Sequence, residues 1–245
     1  MQTAGRALLS LGVMAALMGG DRLEGLRPVL KATALGEIPY GVTTAINTLG
    51  LVLLATVILL FGGREARPLA RLAGLSAPAR RPLLFAGAIF IPATATAFLI
   101  AEPAAEISLY DQAFLSGIFP VMEEIGFRGL AIGALMRLAG WPFVLAALAP
   151  AAVFGAVHAA QGEGLAEIAG VVAITGVGGF LLGWIFIRWG FNLWPAIFAH
   201  AGMNALWGFF DLGENAIGGW SGNALRLGVI AAAISLTLLM APKKA

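Results

Sequence analysis

The sequence has no cysteine, two histidines and little charge: 11% of its 245 residues are Asp, Glu, Lys or Arg, against about 25% in an ordinary soluble domain. Without cysteine there is neither a disulfide framework nor a thiolate-ligated zinc or iron–sulfur site. A formal charge of only +2, with the basic residues confined to short polar breaks, argues for membrane orientation and against nucleic acid as a partner. Two enzyme signatures are also missing, the zincin helix with two histidines around a glutamate and a serine in a Gly-x-Ser-x-Gly setting. The glycines of "GVGGF" (176–180) lack the lysine and the serine or threonine of a phosphate loop and read as helix-packing positions.

What the chain has instead is apolar length. Apolar residues make up 60% of it, in runs of about 20 residues that can each cross a hydrocarbon core about 30 Å thick. The runs are placed at 5–20, 41–62, 83–100, 115–139, 141–160, 167–189, 192–213 and 224–240. This predicts an all-α, polytopic transmembrane helical bundle of about eight spans, in one integral membrane domain over residues 1–245. The first run starts at Arg6 and has the charged start and apolar middle of a signal peptide, but no small-residue cleavage site follows; it is read as a retained span.

With the N-terminus inside, the cytoplasmic segments hold Arg6, Arg64, Arg67, Arg71, Arg80, Arg81, Arg137, Arg188, Lys243 and Lys244, and the opposite face only Arg22, Arg27, Lys31 and Arg226. Positive-inside bias therefore puts both termini in the cytoplasm. The stretch 21–37 mixes three acids with three bases and is expected to be an interfacial helix. Trp141, Trp184, Trp189, Trp194, Trp207 and Trp220 fall towards span ends and are expected to be headgroup anchors, and Asp211 and Glu214 to lie on a solvated rim.

Three polar constellations interrupt the apolar runs. "PVMEEIGFRG" (120–129) puts Glu123, Glu124 and Arg128 in the fourth span. In a helix Glu124 and Arg128 share a face, while Glu123 is turned about 100° away. Each such charge costs about 2.5–3.5 kcal/mol near the bilayer centre on insertion scales, so all three must face a protein-lined interior. Pro120 is expected to bend the helix just before them. "FGAVHAA" puts Phe154 and His158 one turn apart in the fifth span; "HAGMN" does the same for His200 and Asn204 in the seventh. Each set alone suits a structural ion pair or interhelical hydrogen bonding. Together, on three helices with almost no other strongly polar group, they point to one convergent site in the bundle interior.

That set suits hydrolysis. Glu123, unpaired on its own helix and held in a low-dielectric pocket, has its charged form disfavoured, which fits it for general-base work. A water polarised between Glu123 and His158 would be the nucleophile, with His200 and Asn204 donating to the oxyanion and Arg128 holding Glu124 in place. The same atoms allow a second form, a divalent metal such as zinc on His158, His200 and a carboxylate from Glu123 or Glu124. The first form, which requires no cofactor, is preferred.

In motif and order, Glu123-Glu124 followed by Arg128, Phe154 to His158 and His200 to Asn204 resemble the Glu-Glu-x-x-x-Arg, Phe-x-x-x-His and His-x-x-x-Asn elements of the CPBP (Abi) family of intramembrane proteases, which includes the type II CAAX prenyl endopeptidases. The resemblance covers about 115–208, and Gly126 departs from the bulkier apolar residue of that element. It implies an intramembrane endopeptidase acting on a peptide or protein substrate, membrane-associated or not, in which Glu123 and His158 activate the water, His200 and Asn204 stabilise the oxyanion, and Glu124 and Arg128 support the site. The Ala, Gly and Leu richness leans towards a bacterial plasma (inner) membrane. An ion- or proton-coupled transporter, or a non-catalytic membrane scaffold, is the alternative use of the same buried charges.

Overall fold

The structure is a computed structural model that describes residues 3–106, 108–213 and 217–242. Lys243, Lys244 and Glu214, used above for orientation and rim, lie outside the described residues. Eight long helical stretches follow one another: α1 (Thr3–Gly20), α2 (Gly41–Phe61), α3 (Arg80–Ile100), α4 (109–137), α5 (Phe143–Val157), α6 (Gly164–Arg188), α7 (Trp194–Phe209) and α8 (Trp220–Met240). Among the described residues there is no strand, only an isolated antiparallel bridge between Pro103 and Phe210. The expected all-α polytopic bundle is what forms.

Among the described residues, six helices are long and apolar enough to cross a membrane, including α1. The other two are the motif-bearing α4 and α7. Helix α7 has 16 residues, which at 1.5 Å each gives about 24 Å, short of the hydrocarbon thickness. Large apolar side chains such as Leu60, Ile91, Leu99, Val177 and Leu239 stay exposed; they are the surface offered to the lipid bilayer.

The interior forms two apolar clusters. One joins α1, α2, α4 and α5 through residues such as Leu9, Ile58, Leu135 and Ala146. The other joins α3, α7 and α8 through Phe85, Leu206 and Val229. Helix α6 bridges them, for Phe186 belongs to the first and its neighbour Ile185 to the second. Helices α5 and α6 pack backbone to backbone at Gly155, where a Cβ would come within 2.5 Å of the Val172 carbonyl oxygen; only glycine permits that approach.

Two local expectations change, and the helix around Pro120 takes a mixed register. The stretch 21–37 is not one interfacial helix but three short turns, Asp21–Leu26 and Ala34–Glu37 in 3-10 form around a single α turn, Arg27–Lys31. Pro120 lies in a short α-helical turn, Phe119–Glu123, flanked by π-helical stretches Ala113–Ile118 and Glu124–Ile132, with no break in α4. Several indoles turn inward: Trp141 donates to Ser10 Oγ (2.9 Å), Trp189 to Thr237 Oγ1 (3.3 Å) and Trp194 to the Ala77 carbonyl (3.0 Å). A buried indole N–H needs an acceptor, and these serve as interhelix and loop ties. Trp220, largely exposed, keeps the character of an anchor.

Candidate active site

Helix α4 starts where Ser108 caps it, its side chain accepting from Asp111 N (3.1 Å). Beside it the Tyr40 ring stacks on Phe114 (5.0 Å) and its hydroxyl donates to Asp111 Oδ1 (2.9 Å), which pins the entrance of α2 to the start of α4. Six residues further on, the π register and Pro120 act together. Phe119 N donates five residues back, to the Phe114 carbonyl; the next donor in that register would be residue 120, and proline has none. The Leu115 carbonyl so released accepts from Asn204 Nδ2 of α7 (2.9 Å). One turn along α7, Gln112 Nε2 donates to the Gly208 carbonyl (3.1 Å), and one turn back stands His200. Positions 200, 204 and 208 therefore form one polar edge that holds α7 against α4.

At the deep end, Glu124 and Arg128 are both fully buried. Arg128 Nη1 donates to Glu124 Oε1 (2.9 Å) and Nε to the Gly179 carbonyl on α6 (3.3 Å), and the guanidinium lies 4.3 Å from the centre of the Phe154 ring. Glu124 Oε1 also meets His200 Nδ1 at 2.8 Å. A carboxylate only accepts, so Nδ1 carries the hydrogen and Nε2 is the nitrogen turned to Glu123, 3.7 Å from its Oε2. The two adjacent glutamates thus address opposite nitrogens of one imidazole.

His158 sits at the very end of α5 and not within it. Its backbone N–H turns to Gly155 O (3.1 Å), which frees the Phe154 carbonyl one step earlier, and the imidazole Nδ1 takes that carbonyl at 2.7 Å. A carbonyl only accepts, so Nδ1 is again the protonated nitrogen and Nε2 keeps its lone pair. Phe154 walls the group, its ring centre 4.5 Å from that of His158 and 6.0 Å from that of His200.

Glu123 and His158 line one cavity of about 460 Å³ between α1, α2, α4 and α5, which reaches Gly20, Glu24, Arg27 and Ala160 at the helix ends. At that mouth Arg27 Nη2 donates to Glu24 Oε1 (2.9 Å) and Nη1 to Thr43 (3.2 Å); the Arg27 hydrogen bond holds the Glu24 carboxyl below its ordinary value. Gly126 is part of the wall, where a Cβ would press on Leu51 Cδ2 at 3.2 Å. So the structure joins Glu124, Arg128 and His200 by direct bonds, brings Glu123 beside His200, and opens Glu123 and His158 to the same space. Asn204 is engaged with Leu115 instead of with the other motif residues. Among the described residues, no three His, Asp or Glu side chains are gathered closely enough to hold a metal ion, and His158, His200 and Glu123 do not form a three-ligand set. Sequence reasoning passed over Asn47, Glu24 and Arg27, which also line the cavity; for Asn47 the signal was a lone carboxamide in the apolar run of α2.

Residues 105–206 match the family described as Rce1-like, type II CAAX prenyl endopeptidase Rce1-like. No curated protein and no solved structure matches the chain. That segment contains every motif residue from Glu123 to Asn204; the match supports membership of the CPBP family, and with the membrane-length apolar helices it supports an integral membrane protein of the CAAX-protease type.

Proposed function

We propose that this membrane endopeptidase hydrolyses its peptide bond with a water held between the Glu123 carboxylate and His158 Nε2. The observation that carries the reading is that these two groups, from the consecutive helices α4 and α5, line one cavity of about 460 Å³. Glu123 takes a proton from the water as it attacks the carbonyl carbon. His158, its tautomer fixed by the Phe154 carbonyl, orients the water through its free lone pair. The developing oxyanion is met by the second N–H of the Asn204 amide, the first being bonded to Leu115, and by His200 in its imidazolium form, which donates from Nε2 while Nδ1–H stays anchored on Glu124. Glu123 then returns its proton to the leaving amine. Arg128 fixes Glu124, and through it the ring of His200.

No step is routed through a metal. His158, His200 and Glu123, the residues named for a divalent metal, are not gathered into a three-ligand set among the described residues, and addition of chelator tests the metal-dependent form separately. The chain is one membrane domain in a bacterial inner membrane with both termini in the cytoplasm; the cavity mouth at Glu24 and Arg27 then lies on the opposite side, and substrate enters there. The test is purified protein in detergent or liposomes against an internally quenched peptide library, with and without chelator, beside Glu123→Gln, His158→Ala and His200→Ala. Cleavage lost in all three variants and indifferent to chelator supports the reading. Cleavage retained by Glu123→Gln contradicts it.

A further inference from the structure

Helix α2 offers the cavity one face, made by Ile46, Asn47, Gly50, Leu51 and Leu54. Asn47 does not belong there on packing grounds. A carboxamide inside a membrane helix is stabilised by a partner on a neighbouring helix, which is how such residues act as interhelical glue. Among the described residues, the Asn47 amide finds no hydrogen-bond partner, so helix gluing does not account for it. What it does face is the space shared by Glu123 and His158.

Two further features describe what fits beside it. A carboxamide presents one acceptor and an N–H donor pair, the complement of a peptide group. One turn along α2, Gly50 leaves the wall bare: a Cβ there would have nothing nearer than Leu23 Cδ1 at 4.0 Å, so the room exists because a side chain is lacking and no backbone occupies it. The surrounding wall, Leu51, Leu54, Leu17 and Phe127, is apolar. A pocket that is largely apolar with a few convergent polar groups is the usual form of a specific small site.

We infer that Asn47 is a substrate-binding residue, hydrogen-bonding a peptide group of the substrate in the cavity of Glu123 and His158, and that the space over Gly50 receives an apolar side chain of the same peptide. This rests on the endopeptidase reading above. The residue does not touch the reacting atoms; it holds ground state and transition state alike, so its loss raises KM and leaves kcat.

The experiment uses the full chain in detergent micelles and the best-cleaved fluorescent library peptide, or the tightest-bound one if none is cleaved, made with Ala, Val, Leu or Phe at one central position. For Asn47→Ala the expected result is a rise in KM of about three- to tenfold, the loss of one neutral hydrogen bond, with kcat and the melting midpoint unchanged and KM largely restored in Asn47→Gln. In Gly50→Val, which the open space accommodates, cleavage of the Leu and Phe peptides falls relative to the Ala peptide. A second arm measures binding of the same fluorescent peptides to Glu123→Gln with and without Asn47→Ala. Weaker binding in the double variant supports the inference even if the unsubstituted protein cleaves nothing, the outcome that sinks the endopeptidase reading alone. Unchanged KM and binding in Asn47→Ala, or a loss of stability with kcat and KM falling together, overturns the role assigned to Asn47.

Discussion

Replacing Arg128 by methionine leaves a carboxylate stranded in the centre of the bundle. Glu124 is fully buried, its Oε1 is bonded to Arg128 Nη1 at 2.9 Å and to His200 Nδ1 at 2.8 Å, and its Oε2 has no protein partner among the described residues. Breaking a buried pair from one side costs about 3–5 kcal/mol, because the remaining charge keeps its desolvation penalty without the attraction that offset it. Methionine refills most of the volume, so the cavity term is small. Arg128→Met should therefore lose about 3–5 kcal/mol in urea unfolding followed by tryptophan fluorescence in detergent. Glu124→Gln on top of it removes the stranded charge while keeping an oxygen for His200. The double variant should recover at least about 2 kcal/mol relative to Arg128→Met, a coupling in the range of directly contacting residues. A loss below about 1 kcal/mol in Arg128→Met, within the scatter of ordinary substitutions, or strictly additive losses in the pair, would refute the buried ion pair as the keystone of α4.

Three other outcomes follow from named contacts. Gly179→Ala places a Cβ 2.9 Å from Arg128 Nη2 and 3.2 Å from Phe154 Cδ1, and overpacking of this kind costs about 1–3 kcal/mol; a melting midpoint equal to the unsubstituted protein's would show that Arg128 is free to move aside. Asn204→Ala leaves the Leu115 carbonyl unsatisfied and should cost about 1 kcal/mol, but less in a Pro120→Ala background, where a backbone N–H at position 120 can serve the same carbonyl; equal costs in both backgrounds would refute the account of the π turn. For orientation, the absence of cysteine permits single labelling sites directly: Glu163→Cys should react with membrane-impermeant maleimide in intact cells and Arg64→Cys only after lysis, and the reverse pattern would invert the topology.

The polar residues were readable because the membrane makes them conspicuous. Glu123, Glu124, Arg128, His158 and His200 cost too much in lipid to stand anywhere but a shared interior, and the four-residue spacings of Glu124–Arg128, Phe154–His158 and His200–Asn204 told which side chains share a helical face. The structure's direct contacts follow two of those spacings closely, Glu124 with Arg128 and Phe154 with His158. The π turns were not readable, since a shift from four- to five-residue hydrogen bonding leaves no compositional mark. Their consequence, an orphaned Leu115 carbonyl that claims Asn204, was hidden with them. Asn47 escaped notice because one carboxamide among threonines looks like helix glue until its neighbours are known. The inward indoles of Trp141, Trp189 and Trp194 were misread for a related reason: proximity to a span end fixes depth but says nothing about which way a ring points.

The most direct measurement of the central claim is the double-variant cycle between Glu123 and His158 in single-turnover peptide cleavage. If both act on one water, Glu123→Gln and His158→Ala each lower the rate by about 10²–10⁴-fold, and the combined variant is hardly slower than the worse of the two, as groups acting as a unit behave. Losses that multiply in full would mean that the two residues work independently, and the shared hydrolytic cavity would have to be given up.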